Sequence, residues 1–423
     1  MKTTAVRLYG KNDLRLESFE LPKIKENEIL AKIVSDSICM SSYKAAKQGA
    51  EHKRVPKNID KEPVIIGHEF CGEILEVGKT WQKKFKAGQR FTIQPALNYK
   101  GSLDAPGYSY KYIGGGATYV IIPNEVMELN CLLVYKGDAF FYGSLSEPMS
   151  CIAGAYHAQY HTQNGSYVHK MGIKKGGKTA ILAGVGPMGL GAIDYALNAG
   201  IKPSLLVVTD IDAARLKRAE ELFSVKSAKE KGVSLKYINT SVPSAAELLI
   251  QESGGEGYDD VFVFAPVKAV LEQADAILGK DGCLNFFAGP TDPKFSADFN
   301  FYNVHYSSTH VVGTSGGNTD DMIECLDMMA AKKLKTEVMI THVGGLTSAI
   351  ETTLNLPNIK GGKKLVYNHI DMPMTAIEDF EGLGKTDKMF AKLSAICKRN
   401  NGLWSLEAEE YLLANAKQLN EKR

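Results

Sequence analysis

Two sets of residues in this chain have the types and spacing that chemistry needs. The first is Gly184, Gly186, Pro187, Met188 and Gly189 in the run GVGPMG, which follows the apolar stretch 180–183. A Gly- and Ala-rich segment of helical length comes next. A second apolar run, 205–208, then stops near Asp210, 21 residues past Gly189. Strand, glycine turn, helix, strand and terminal acid in that order make up a dinucleotide-binding βαβ unit. Gly184 permits a tight turn, Gly186 lets backbone approach a pyrophosphate, and Gly189 lets helix and strand pack closely. The helix start at Pro187 and Met188 offers unpaired N–H groups and positive dipole to phosphates. Asp210 can accept hydrogen bonds from both adenosine-ribose hydroxyls and repels a 2′-phosphate, so NAD(H) is expected. Arg215, Lys217 or Arg218 can soften that preference and leave NADP(H) open.

The second set is scattered. Cys39 follows an apolar strand in the run SICMSSYK, His68 and Glu69 close another in VIIGHE, and Glu147 precedes Pro148. Singly, each has a plain explanation: a small buried hydrophobe, a satisfied structural histidine, a turn residue. Together they offer a thiolate, an imidazole and one or two carboxylates, the set used by a catalytic zinc that keeps one position open. Spacing alone does not bring them together.

The elements that must position these groups differ between the two halves. Residues 3–8, 14–21, 28–37, 69–77, 90–94 and 117–122 are β-rich runs broken by Gly, Pro and Asn. From 178 onward strands alternate with helical periods, with further buried strands at 260–264, 283–287 and 311–313. Residues 320–333 read as an amphipathic helix. At 423 residues two domains are expected. We place a β-rich domain at 1–150 and 315–423, and a doubly wound parallel-sheet (Rossmann) domain at 151–314. The net charge of +2 argues against nucleic acid or a membrane as main partner. The longest apolar runs fall short of the roughly 20 residues a membrane helix needs. Seven dispersed cysteines and a start without an apolar signal region point to a reducing cytoplasm.

In the order CxSS, GHExCGEI, SEP, GVGPMG, VVTD and GTSGG, residues 1 to about 367 resemble the zinc-dependent medium-chain dehydrogenase/reductase family. The resemblance implies a GroES-like catalytic domain interrupted by the Rossmann domain, with the active site in the cleft between them. It also implies metal ligands Cys39, His68 and Glu147, as in the polyol-dehydrogenase branch, with Glu69 as an alternating partner and Cys151 as a weaker rival for the third place. Ser41 takes the hydroxyl position of the proton relay and Lys44 the place of a relay histidine. Gly289 and Thr314 fall at cofactor-facing strand ends, and residues 361–366 resemble the family's closing strand. Ser42 stands where many relatives have Asp. The chain has no Cys between Cys71 and Cys131, so the structural zinc of many relatives is expected to be absent. A Tyr- and Gly-rich loop, 96–116, takes that place.

The insert 44–61 carries Lys44, Lys47, Lys53, Arg54, Lys57 and Lys61. Charge runs are usually solvated loops. The sharper reading assigns Lys53 and Arg54 to a substrate phosphate. Insert, chain length and missing cysteines resemble the sugar-phosphate-reducing members of the polyol branch. This implies a zinc-dependent interconversion of ketose phosphate and polyol phosphate in a homo-oligomer, dimer or tetramer. The alternatives are a sorbitol- or alcohol-type dehydrogenase on an unphosphorylated substrate, and a non-catalytic nucleotide-binding relative. Residues from about 368 onward extend past the usual family ending. Their helical periods at 389–397 and 412–419 are expected to pack on the chain itself or on a subunit neighbour.

Overall fold

The computed structural model describes residues 1–163 and 165–419. The chain divides into two compact units, one of Met1–Glu147, Met322–Ala331 and Thr336–Arg423, the other of Pro148–Asp321 with Lys332–Lys335.

In the second unit six parallel strands are ordered Ser234–Asn239, Leu205–Asp210, Lys178–Leu182, Tyr258–Val263, Leu278–Phe286 and His310–Val312. Ala180, Leu182, Val207, Val261, Val263 and Leu284 are fully buried, as expected for strands covered on both faces. The order reverses beside Lys178–Leu182, the switch point where such sheets bind nucleotides. The turn after that strand departs in detail from the sequence expectation. The left-handed residue is Ala183, with φ 52°. Gly184 is required for space instead, because a Cβ there would strike Ile181. A Cβ on Gly189 would run into the carbonyl of Gly184, so the helix Pro187–Asn198 can lie this close to the turn only with glycine there.

In the first unit Ile29–Ile38 is the central strand. It pairs antiparallel with Phe70–Val77 on one side, and with Lys363–Tyr367 and then Tyr119–Ile122 on the other. Beyond Lys363–Tyr367 lies Ile340–Gly345, which the sequence did not suggest because its buried residues are only Ile340 and the run from Val343. A smaller sheet pairs Lys2–Gly10 with Asp13–Glu20 and Val64–Ile65.

The segment around Glu147 is a 19-residue helix, Phe140–Ala158, with Pro148 inside it; the Glu-Pro pair is no turn. Proline withholds the N–H that Ser144's carbonyl would otherwise receive, so Phe140–Glu147 forms two turns needing support from outside. The C-terminal extension provides some of it. Helix Lys388–Arg399 buries Phe390, Leu393, Ile396 and Cys397, and helix Leu406–Asn415 buries Ala408, Glu409 and Leu412. They pack with Trp404, Phe380 and Tyr367 against Phe141 and Leu145. The extension is therefore part of its own unit's core.

Glu409 is a carboxylate on that apolar stripe. Burial raises it to about 7, despite hydrogen bonds from Tyr367 and the backbone of Phe140 and Phe141. In the unfolded chain it titrates near 4.5. Between those values the folded state holds the extra proton, so stability falls as pH rises through this window. Glu409→Gln should flatten that slope in urea titrations run across it.

Candidate active site

Strand register builds the site. Asp36 pairs with Phe70, and the Ser37 amide donates to the Glu69 carbonyl at 2.9 Å. The exit of Ile29–Ile38 therefore lies beside the entry of Phe70–Val77, and Cys39 falls next to His68 and Glu69. On the other side Ile38 pairs with Lys364, which sets Lys363 opposite Cys39. A thiol sulfur, an imidazole nitrogen and a carboxylate oxygen of Cys39, His68 and Glu69 lie within 4.8 Å of one another. It is the one such group of three or more metal-binding side chains among the described residues.

The electrostatics suit a cation. Burial raises the Cys39 thiol to about 12, and the charges of Glu69 and Glu147 add to that shift. Burial lowers His68 to about 4, further than the Glu69 charge can offset, so its ring is neutral at pH 7 with a lone pair to give. Neutral imidazole beside sulfur and carboxylate is a donor set that matches zinc, whose binding displaces the thiol proton.

Contacts hold the imidazole from both sides. Ser42 Oγ lies 3.4 Å from Nδ1 and the Tyr108 hydroxyl 3.2 Å from Nε2. Ser42, at the position where the resemblance would put an Asp, is the group that meets Nδ1. Ser41 Oγ is 2.9 Å from Cys39 Sγ and hydrogen-bonds Tyr108.

Glu69 is 1% exposed and is gripped by Lys363 Nζ at 2.6 and 2.7 Å. Burial pulls that lysine down, but the Glu69 carboxylate bound to it and the charge of Glu147 outweigh burial and hold the ammonium above its ordinary value. Glu147, expected as a ligand, is not in the tight cluster, where Glu69 appears instead. Its charge still acts on Cys39, Tyr108 and Lys363.

Sequence reasoning missed Lys363 and Tyr108. A pair of lysines, Lys363 and Lys364, opening the buried closing strand was the available signal for the first. Tyr108 comes from loop 96–116, which crosses Gly67: a Cβ on Gly107 would meet the Gly67 carbonyl, and Gly107 has φ +81°. The Tyr108 ring stacks on His52 at 5.6 Å, and the Arg54 guanidinium lies 5.6 Å from the ring centre. Arg54 is half-buried, Lys53 exposed. Lys44 is half-buried one turn beyond Ser41 on helix Met40–Gln48.

In the second unit Gly186 caps helix Pro187–Asn198, and the Arg215 guanidinium reaches within 3.5 Å of where a Gly186 side chain would begin. Asp210 is buried at its strand end, and one of its oxygens receives the Asp212 amide at 3.1 Å. Gly289 and Thr314 follow the carboxyl ends of Leu278–Phe286 and His310–Val312.

A GroES-like β unit with a sulfur–imidazole–carboxylate cluster, joined to a Rossmann unit, defines an alcohol dehydrogenase-type oxidoreductase. Residues 25–130 match the alcohol dehydrogenase GroES-like domain and residues 187–331 the zinc-binding dehydrogenase domain. The chain is 54% identical to the mannitol-1-phosphate 5-dehydrogenase of Aliivibrio fischeri, over 97% of each chain. It is 52% identical to the L-sorbose 1-phosphate reductase of Klebsiella pneumoniae, over 99% of this chain and 98% of that one. Among solved structures, the 2R,3R-butanediol dehydrogenase of Bacillus subtilis superposes with a TM-score of 0.69 at 22% identity, over 86% of this chain and 99% of its own. A Sinorhizobium meliloti chain solved with NADP bound gives 0.68 at 20%, over 87% and 99%. The protein belongs to the zinc-dependent medium-chain dehydrogenase/reductase family.

Removing one partner of a buried ion pair typically costs about 3–5 kcal/mol, because a charge is left uncompensated. Lys363→Met should lose stability on that scale in denaturant titrations. Adding Glu69→Gln should recover most of it; a double variant no more stable than Lys363→Met would show that the loss does not come from an unpaired Glu69 charge.

Proposed function

We propose that the protein interconverts a ketose phosphate and a polyol phosphate, using a single zinc held by Cys39, His68 and Glu147 and a nicotinamide cofactor. The two relatives above 50% identity, both named for phosphorylated sugars, support the substrate class. The observation that carries the reading is the half-buried Arg54 held against Tyr108, whose hydroxyl meets His68.

When bound, zinc polarises the reacting oxygen as a Lewis acid and nicotinamide carries the hydride. The chain's own residues do the rest. Both Glu69 oxygens are engaged by Lys363, so Glu69 fits a neighbouring anion better than a ligand; Glu147, whose charge acts on Cys39, is the third donor that the family resemblance implies, ahead of Cys151. Ser41, bonded to Cys39 and Tyr108, is placed to pass a proton between the reacting oxygen and water, with Lys44 further along the same helix face. Arg54 offers a planar guanidinium suited to a phosphate. Asp210 favours NAD(H), while Arg215 beside Gly186 can meet a phosphate and keeps NADP(H) in use. The missing loop cysteines imply no second, structural zinc.

Losing a charge-assisted hydrogen bond costs about 1.5–3 kcal/mol. Arg54→Ala should therefore raise KM for a phosphorylated ketose by roughly tenfold or more, with KM for the free ketose unchanged. Lys53→Ala, an exposed position, should stay within about twofold. Equal loss on both substrates would favour an unphosphorylated polyol. Metal analysis should find about one zinc per chain, lost in Cys39→Ala; a purified enzyme active without metal would end the zinc reading.

A further inference from the structure

Glu409 lies 262 residues downstream of Glu147 in sequence, yet its two oxygens hold the start of the helix that carries Glu147. The Phe140 and Phe141 amides donate to Oε1 and Oε2 at 2.6 and 2.9 Å. Those amides belong to the first helical turn, whose N–H groups have no partner within the helix. A carboxylate there also meets the positive end of the helix dipole. The Tyr367 hydroxyl donates to Oε2 at 2.8 Å, and the Trp404 indole donates to that hydroxyl at 2.8 Å. Glu409 is 1% exposed, so its geometry is fixed on every side.

The grip bears on Glu147 through helical geometry. Phe140, Gly143, Ser144 and Glu147 share one face at spacings of three and four residues. On that face a Cβ at Gly143 would strike Cys71, and Ser144 Oγ donates to the Ser35 carbonyl at 3.0 Å. Sheet contacts fix the side of these two turns, whereas the Glu409 bonds fix their position along and around the axis. Pro148 interrupts the ladder immediately beyond, so rigidity cannot be lent from the C-terminal side through the Ser144 carbonyl.

We propose that Glu409 is a positioning residue for the metal site: the C-terminal extension, through this one carboxylate, sets the helical turn that presents Glu147. The inference rests on the zinc-site reading given above, in which Glu147 is a ligand.

The test uses the zinc-loaded enzyme and follows zinc release to a chromophoric chelator together with steady-state kinetics. Residues that orient metal ligands typically change metal affinity or activity by about 10–100-fold when replaced. Glu409→Gln should release zinc at least about tenfold faster and lower kcat, with KM for the nicotinamide cofactor unchanged. Tyr367→Phe keeps both backbone bonds and removes one hydrogen bond to the same carboxylate; its release rate should fall between parent and Glu409→Gln. This variant also carries the test if Glu409→Gln does not fold. A purely structural role would lower thermal stability and leave release rate and kcat per bound zinc at parental values in both variants, which would overturn the proposal. Glu147→Gln separates the two readings. Parental zinc retention in Glu147→Gln sinks the ligand assignment itself; rapid loss there with parental retention in Glu409→Gln sinks only the positioning role.

Discussion

An ammonium and a carboxylate meet in the interior of the first unit, Lys363 on Glu69, each almost sealed from water. Taking two ions out of water costs several kcal/mol apiece unless they meet in good geometry. Here both carboxylate oxygens are engaged, and the ammonium lies among Glu69, Cys39 and Glu147. A site intended for a cation concentrates negative groups, and negative groups repel each other when dry. Lys363 relieves that repulsion, so Glu69 can remain beside Cys39 and His68. The register that places it, Lys364 against Ile38, also closes the central strand. Electrostatics and sheet pairing are satisfied by the same strand.

Around this pair, supporting roles fall to segments without obvious chemistry. Loop 96–116 has no metal-binding cysteines and delivers Tyr108 to the imidazole, with His52 and Arg54 layered on its ring. The C-terminal helices complete a hydrophobic core and place one carboxylate at a helix start. In both cases polar groups carry the precision and apolar packing carries the rigidity.

The nucleotide-binding unit was legible because its signal is contiguous. Turn, helix and terminal acid lie within 33 residues, and Gly184 and Gly189 each answer to a local steric demand. Cys39 and His68 were legible as ends of apolar runs. Lys363, Tyr108 and Glu409 were not, because their roles arise from pairing between segments up to 294 residues apart. No local period records such a contact. The helix around Glu147 was hidden by Pro148, which usually marks a break and here sits inside the helix, just after two supported turns. Ala183 was unexpected as the left-handed residue, since its glycine neighbour is the one that sequence rules would choose.

The central strand Ile29–Ile38 takes Lys363–Tyr367 as a partner, so the first unit is stitched from both ends of the polypeptide. As the chain leaves the ribosome, Glu69 and half of the strand edge wait for more than two hundred residues before their counterparts exist. The intervening segment has its own local βαβ pairings and can fold during that wait. Assembly of the catalytic half is therefore a late, high-contact-order event, slow in principle and dependent on completed synthesis.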